Sequence, residues 1–118
     1  MKETKLGEFE EVILLLVGIL GEDEAYAFKI AEEFKDQTGR SVSIGAVHST
    51  LSRLEDKGFL TSDMGKATAE RGGRRKRIYT ITAYGRRALE VSRDFKVSLW
   101  RQFPQFGFEF GRLNLNDF

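Results

Sequence analysis

Side chains able to do chemistry are unevenly spread along this 118-residue chain. Five cations, Arg71, Arg74, Arg75, Lys76 and Arg77, fall within seven positions around the pair Gly72-Gly73. Guanidinium forks match phosphate oxygens, so such a cluster on a tight turn is suited to gripping a nucleic-acid backbone. Upstream, Ser43, Gly45, Ala46, His48, Ser49, Ser52 and Arg53 are mostly small or hydrogen-bonding residues. Carried on one face of a helix, they suit entry into a DNA major groove, where acidic or bulky side chains would obstruct contact.

Other chemistry finds little support. The absence of cysteine excludes disulfides, thiolate metal ligands and thiol nucleophiles. His48 is the sole histidine, and no ligand spacing completes a metal site around it. Glu32 and Glu33 imitate a catalytic carboxylate pair, but adjacent helical residues diverge by about 100°. They describe a solvated face. No phosphate-loop, dinucleotide or metalloprotease motif is present. The expectation is a protein without enzymatic activity, metal or cofactor.

Charge is better read by position than by sum. The net formal charge is +1, yet the first sixty residues hold seven basic and twelve acidic side chains, and the remainder twelve basic and six acidic. A near-neutral protein with one dense basic projection can still bind phosphate locally. Lys2, Lys5, the apolar run at positions 12–20 and Ala25-Tyr26-Ala27 imitate a signal peptide. Glu3, Glu8, Glu10 and Glu11 spoil the imitation, and the run is far short of the ~20 residues that cross a bilayer. A buried helix and a cytoplasmic protein are expected.

The supporting elements follow from periodicity and stop signals. A first helix over 8–20 is apolar nearly all round, which predicts burial on several sides. Asp23 is placed to cap a second helix over about 24–37, whose apolar face is Tyr26, Ile30 and Phe34, and Gly39 ends it. Ser43 caps a third helix with Ile44, Val47, Leu51 and Leu54 as its buried stripe, closed by Gly58. Strands over 59–65 and 76–82 flank the basic turn. Thr82 then caps a fourth helix reaching about Arg101, with Tyr84, Ala88, Val91, Phe95 and Ser98 in a coiled-coil rhythm flanked by Leu89 and Leu99. Nothing downstream covers that stripe, so a second copy of the chain is its simplest cover. The tail from Phe103 to Phe118 is rich in phenylalanine, and it is expected to pack on the dimer, a partner or a membrane surface.

This order predicts a mainly α fold with a small β-hairpin wing, a winged helix-turn-helix followed by a C-terminal dimerisation helix. Its divisions are expected at 1–82 for DNA binding, 83–102 for dimerisation and 103–118 for the aromatic tail. The sequence resembles the PadR family of winged-helix transcriptional regulators, in its short form with one C-terminal helix. The matching residues are Leu6-Gly7-Glu8-Phe9-Glu10-Glu11, Ala25-Tyr26, Ser43-Ile44-Gly45-Ala46-Val47, Leu51-Ser52-Arg53-Leu54-Glu55-Asp56-Lys57-Gly58, and Glu70-Arg71-Gly72-Gly73-Arg74 with Arg77, Tyr79, Thr82 and Gly85. The resemblance implies a homodimer on a palindromic operator in double-stranded DNA, often a repressor that responds to small hydrophobic or phenolic molecules. One position departs: where His48 stands the family usually has tyrosine, which helps contact the operator backbone. Histidine can still donate to a phosphate, through a smaller contact open to pH.

Specific roles follow. Ser43, Gly45, Ala46, His48, Ser49 and Arg53 are expected to set register and specificity, while Lys66, Arg71, Arg74, Arg75, Lys76 and Arg77 grip phosphates. Phe9, Val12, Val91, Phe95 and Trp100 are candidates for a dimer interface or effector pocket, aromatic residues being favoured at interfaces. The competing expectation is a winged helix used as a protein-interaction module, with the phenylalanine tail as its contact.

Overall fold

The computed structural model describes residues 5–65 and 75–104. They form α1 (Glu8–Leu20), α2 (Ala27–Thr38), α3 (Ile44–Asp56), β1 (Leu60–Met64), β2 (Arg77–Ile81) and α4 (Ala83–Gln102). Lys66, Arg71, Arg74 and the tail beyond Pro104 lie outside the described residues.

The core is built around α1. Its Ile13, Leu14, Leu16 and Val17 are buried among Ile30 and Phe34 of α2, Val47, Leu51 and Leu54 of α3, and Phe59, Leu60 and Tyr79 of the hairpin. The strands pair antiparallel, with Leu60 opposite Ile81 and Ser62 opposite Tyr79. Local signals place the ends of α3 and α4. Ser43 Oγ accepts from the Ala46 N–H at 3.0 Å and Thr82 Oγ1 from the Gly85 N–H at 2.9 Å, so both helices begin where a hydroxyl satisfies a free donor. Gly39 and Gly58 both turn the chain with positive φ, at 77° and 85°.

Two expectations about these elements are corrected. Asp23 does not cap α2: it sits at φ 69° in the turn before it, and the helix starts at Ala27 after an extended Tyr26. The cause lies far along the chain. The Tyr79 N–H donates to the Ala25 carbonyl at 2.9 Å, which ties the residue before the extended Tyr26 to β2 ahead of the helix. Ile44 does not join the buried stripe of α3, being 43% exposed while Val47, Leu51 and Leu54 are fully buried. It stands in the first turn, about 60° round the helix from Val47 at 100° per residue.

Helix α4 is fixed to the corner between α3 and β1. The Thr82 N–H donates to Phe59 O at 3.0 Å and the Thr82 hydroxyl to Gly58 O at 2.7 Å. Gly85 passes so close that a Cβ there would lie 2.3 Å from the Phe59 carbonyl oxygen, so only glycine fits. Tyr84 packs on the Phe59 ring at 5.2 Å between centroids and Ala88 is buried, but farther along the same stripe Val91, Phe95 and Leu99 are exposed, Phe95 by 63%. Among the described residues no helix is long and apolar enough to cross a membrane.

Candidate nucleic-acid interface

Among the described residues, nothing covers the outward face of α3. Ser43, Gly45, His48, Ser49 and Ser52 are exposed, and nothing lies within 4 Å of where a Cβ on Gly45 would stand. Ala46 is half-buried at the edge of this face, and Ser43 spends its hydroxyl lone pair on the helix cap. The face projects from a helix whose other side is locked into the core by Val47, Leu51 and Leu54. It can therefore present side chains to a groove without losing its own register.

Arg53 is placed differently from the serines. Its Nε donates to Glu10 Oε2 at 3.0 Å, and Nη2 lies 3.4 Å from Thr50 Oγ1. Glu10 is a buried carboxylate at the start of α1, and it also accepts from Lys57 Nζ at 2.9 and 3.0 Å and from the Gly7 N–H at 2.8 Å. Burial alone would push this carboxyl up. The Gly7 N–H, Lys57 and Arg53 outweigh it and hold the group at about 2. Glu10 and Lys57 were not singled out from the sequence as site residues. The one local signal was a glutamate at the third position of a helix, the half of a capping box that returns to the backbone N–H before it.

The hairpin carries its described cations in three distinct ways. Arg75 is exposed and its Nε donates to Gly65 O at 2.9 Å, bracing the base of the turn. Arg77 is exposed too, with Nη1 donating to Ser62 Oγ at 3.0 Å, and that hydroxyl donates in turn to Glu55 Oε2 at 2.9 Å. This chain of bonds ties β2, β1 and the end of α3 together. Lys76 instead lies over the Tyr26 ring, 4.0 Å from its centroid, a cation–π contact that holds it against the body of the protein. Burial, with the charge of Glu55 adding to it, pushes the Tyr79 hydroxyl up from its ordinary value.

The candidate interface residues separate into groups. A groove of about 1060 Å³ runs between α1 and α4, walled by Leu15, Gly18, Ile19, Ile81, Leu89, Val97 and Trp100, with Glu11, Arg86, Glu90, Arg93 and Lys96 at its rims. Of the expected residues only Trp100 lines it. Phe9 turns edge-on to Phe34 at 5.6 Å and Val12 packs on the core. Val91 and Phe95 lie about 140–180° round α4 from Trp100 at 100° per residue, on its opposite face. Leu15 and Ile19, the latter 61% exposed, are the uncovered part of α1. An all-apolar helix gives no sign in its sequence of which side the fold will leave bare.

Three helices, a capped third helix with an open polar face, and a hairpin braced against it define a winged helix-turn-helix protein. The sequence pattern of the PadR-like family of transcriptional regulators matches residues 16–91. The chain belongs to that family, whose members are transcriptional regulators and not enzymes. Among solved structures it is similar to Bacillus subtilis PadR in complex with operator DNA, at 25% identity over 73% of this chain and 46% of that one, with a TM-score of 0.58. It is also similar to a PadR family transcription regulator from Clostridium difficile, at 26% identity over 80% and 96%, with a TM-score of 0.61. A PadR-like transcription factor from Bacteroides fragilis, 22% identical over 80% and 84% with a TM-score of 0.65, shares the fold. No curated protein matches the chain.

Proposed function

We propose that this regulator is a homodimeric repressor that binds a palindromic operator, with α3 in the major groove and the hairpin on the flanking backbone. The observation that carries the reading is the outer face of α3, where Gly45, His48, Ser49 and Ser52 stand free above a helix pinned from behind. Its likeness to a relative solved with operator DNA supports it. In this reading Ser43, Gly45, Ala46, His48 and Ser49 meet base edges or adjacent phosphates. Arg75 and Arg77, with Lys66, Arg71 and Arg74 of the turn, supply backbone contacts. Lys76 joins them only by leaving the Tyr26 ring.

Dimerisation is supported by the bare stripe of Val91, Phe95 and Leu99 on α4 and by Leu15 and Ile19 on α1. Apolar area of this kind is stabilised by a second protein surface. The groove that contains Trp100 has the size and lining to take a small hydrophobic effector, which would release the operator by shifting α4. Electrophoretic mobility on the DNA upstream of the protein's own gene tests the reading. A retarded band at low salt, lost on adding a planar hydrophobic compound, is the expected result. No retarded band would favour the interaction-module reading instead.

A further inference from the structure

Glu10 caps α1 by accepting from the Gly7 N–H, but it also accepts from two cations that the cap does not need. It reaches across 43 residues of sequence to Arg53 in the last turn of α3 and 47 to Lys57 at its C-cap. A buried carboxylate costs free energy in desolvation unless paired. Here it is paired with one cation in the last turn of α3 and one at its C-cap, and the geometry with each is different. Lys57 points its ammonium inward, to Glu10 and to the Lys5 carbonyl at 3.3 Å. Arg53 is bound by Nε, the inner edge of its guanidinium, and its side chain remains about half exposed at 53%.

An arginine held by Nε has its outer nitrogens aimed away from the carboxylate. Of these, Nη2 donates to Thr50 Oγ1 at a long 3.4 Å, and the half-exposed side chain leaves the rest of that edge open to a ligand. A free arginine loses rotamer entropy when it binds a phosphate, whereas one already oriented loses less per bond. We infer that Glu10, which itself touches no DNA, is a positioning residue that holds the Arg53 guanidinium in place for one backbone phosphate beside the recognition helix. Arg53 is then a phosphate clamp and not a reader of bases. The inference rests on the DNA-binding reading given above.

The test uses the full chain and two probes: a duplex selected by the wild-type protein from random-sequence DNA, and poly(dI-dC) as nonspecific duplex. Binding is measured over a range of salt, at a temperature where circular dichroism shows each variant folded. Arg53→Ala should weaken binding to the selected duplex about tenfold and flatten the salt dependence by about 1 unit, one lost phosphate contact. Glu10→Gln keeps every cation yet should do the same, and Glu10→Gln with Arg53→Ala should be no weaker than either alone. Poly(dI-dC) binding by Glu10→Gln should weaken alongside that to the selected duplex, because a phosphate contact does not depend on sequence. Wild-type affinity and slope in Glu10→Gln, with only a lower melting temperature, would overturn the inference and leave Glu10 a purely structural group. Failure of the wild type to select any duplex would instead sink the DNA-binding reading itself.

Discussion

At the scale of single residues, two neighbouring carboxylates in the first turn of α1 join three helices. Glu10 takes Arg53 of α3 and its C-cap Lys57, while Glu11 pairs with Lys96 of α4. The roughly 100° between adjacent helical positions, which argues against a catalytic pair at Glu32 and Glu33, here lets each acid serve a different helix. The Glu10 carboxyl, ordinarily at 4.5, is held at about 2 in the folded protein. A group whose folded value is depressed stabilises fully above its unfolded value and loses that contribution as pH falls through the folded one. Its effect is therefore complete above about pH 4.5 and fades between there and pH 2. Glu10→Gln should lower stability at pH 7 by about 1.5–3 kcal/mol, the range for hydrogen bonds to charged groups. In urea titrations the gap to wild type should close as pH falls toward 2. Gly85→Ala tests another single position. With Phe59 O only 2.3 Å from the new Cβ, the helix must shift, and a loss of about 1–3 kcal/mol is expected in the same titration.

At the scale of elements, legibility in the sequence followed the range of the interaction that decides each feature. The caps at Ser43 and Thr82 and the left-handed glycines at 39 and 58 are local, and their residue types predict them. The start of α2 is decided by Ala25 pairing with Tyr79 from β2, an interaction no local pattern around Asp23 reveals. The same holds for the candidate site. The open face of α3 was readable from helical spacing, but the engagement of Arg53 by Glu10 and of Lys76 by Tyr26 was not. Helix α4 shows the limit in another form. Its Tyr84, Ala88, Val91 and Phe95 rhythm was visible, whereas the groove formed by Leu89, Val97 and Trp100 on its other side needs α1 to complete it. If the exposed stripe joins two copies, Phe95→Glu should place a charge in an apolar contact and convert dimer to monomer. Sedimentation equilibrium reads this directly, and a wild type already monomeric at tens of micromolar would remove the dimer from the account.

At the scale of the whole molecule, the anchoring of α4 would link recognition to assembly in the proposed dimer. Thr82 and Gly85 fasten its first turn to Phe59 and Gly58, immediately after α3, so the direction of α4 is tied to that of α3. In a dimer built through α4, the separation of the two α3 faces is then fixed by packing, and symmetric half-sites should mirror it. A shift of α4 against α1 would change that separation and is the simplest way for a ligand in the Trp100 groove to act. The most direct measurement is the selection of bound fragments from genomic DNA, followed by footprinting of the tightest. The account predicts a two-fold symmetric site whose half-site centres are one helical turn, about 10 base pairs, or a multiple of it apart. Equal retention of all fragments, with no protected symmetric site, would contradict it.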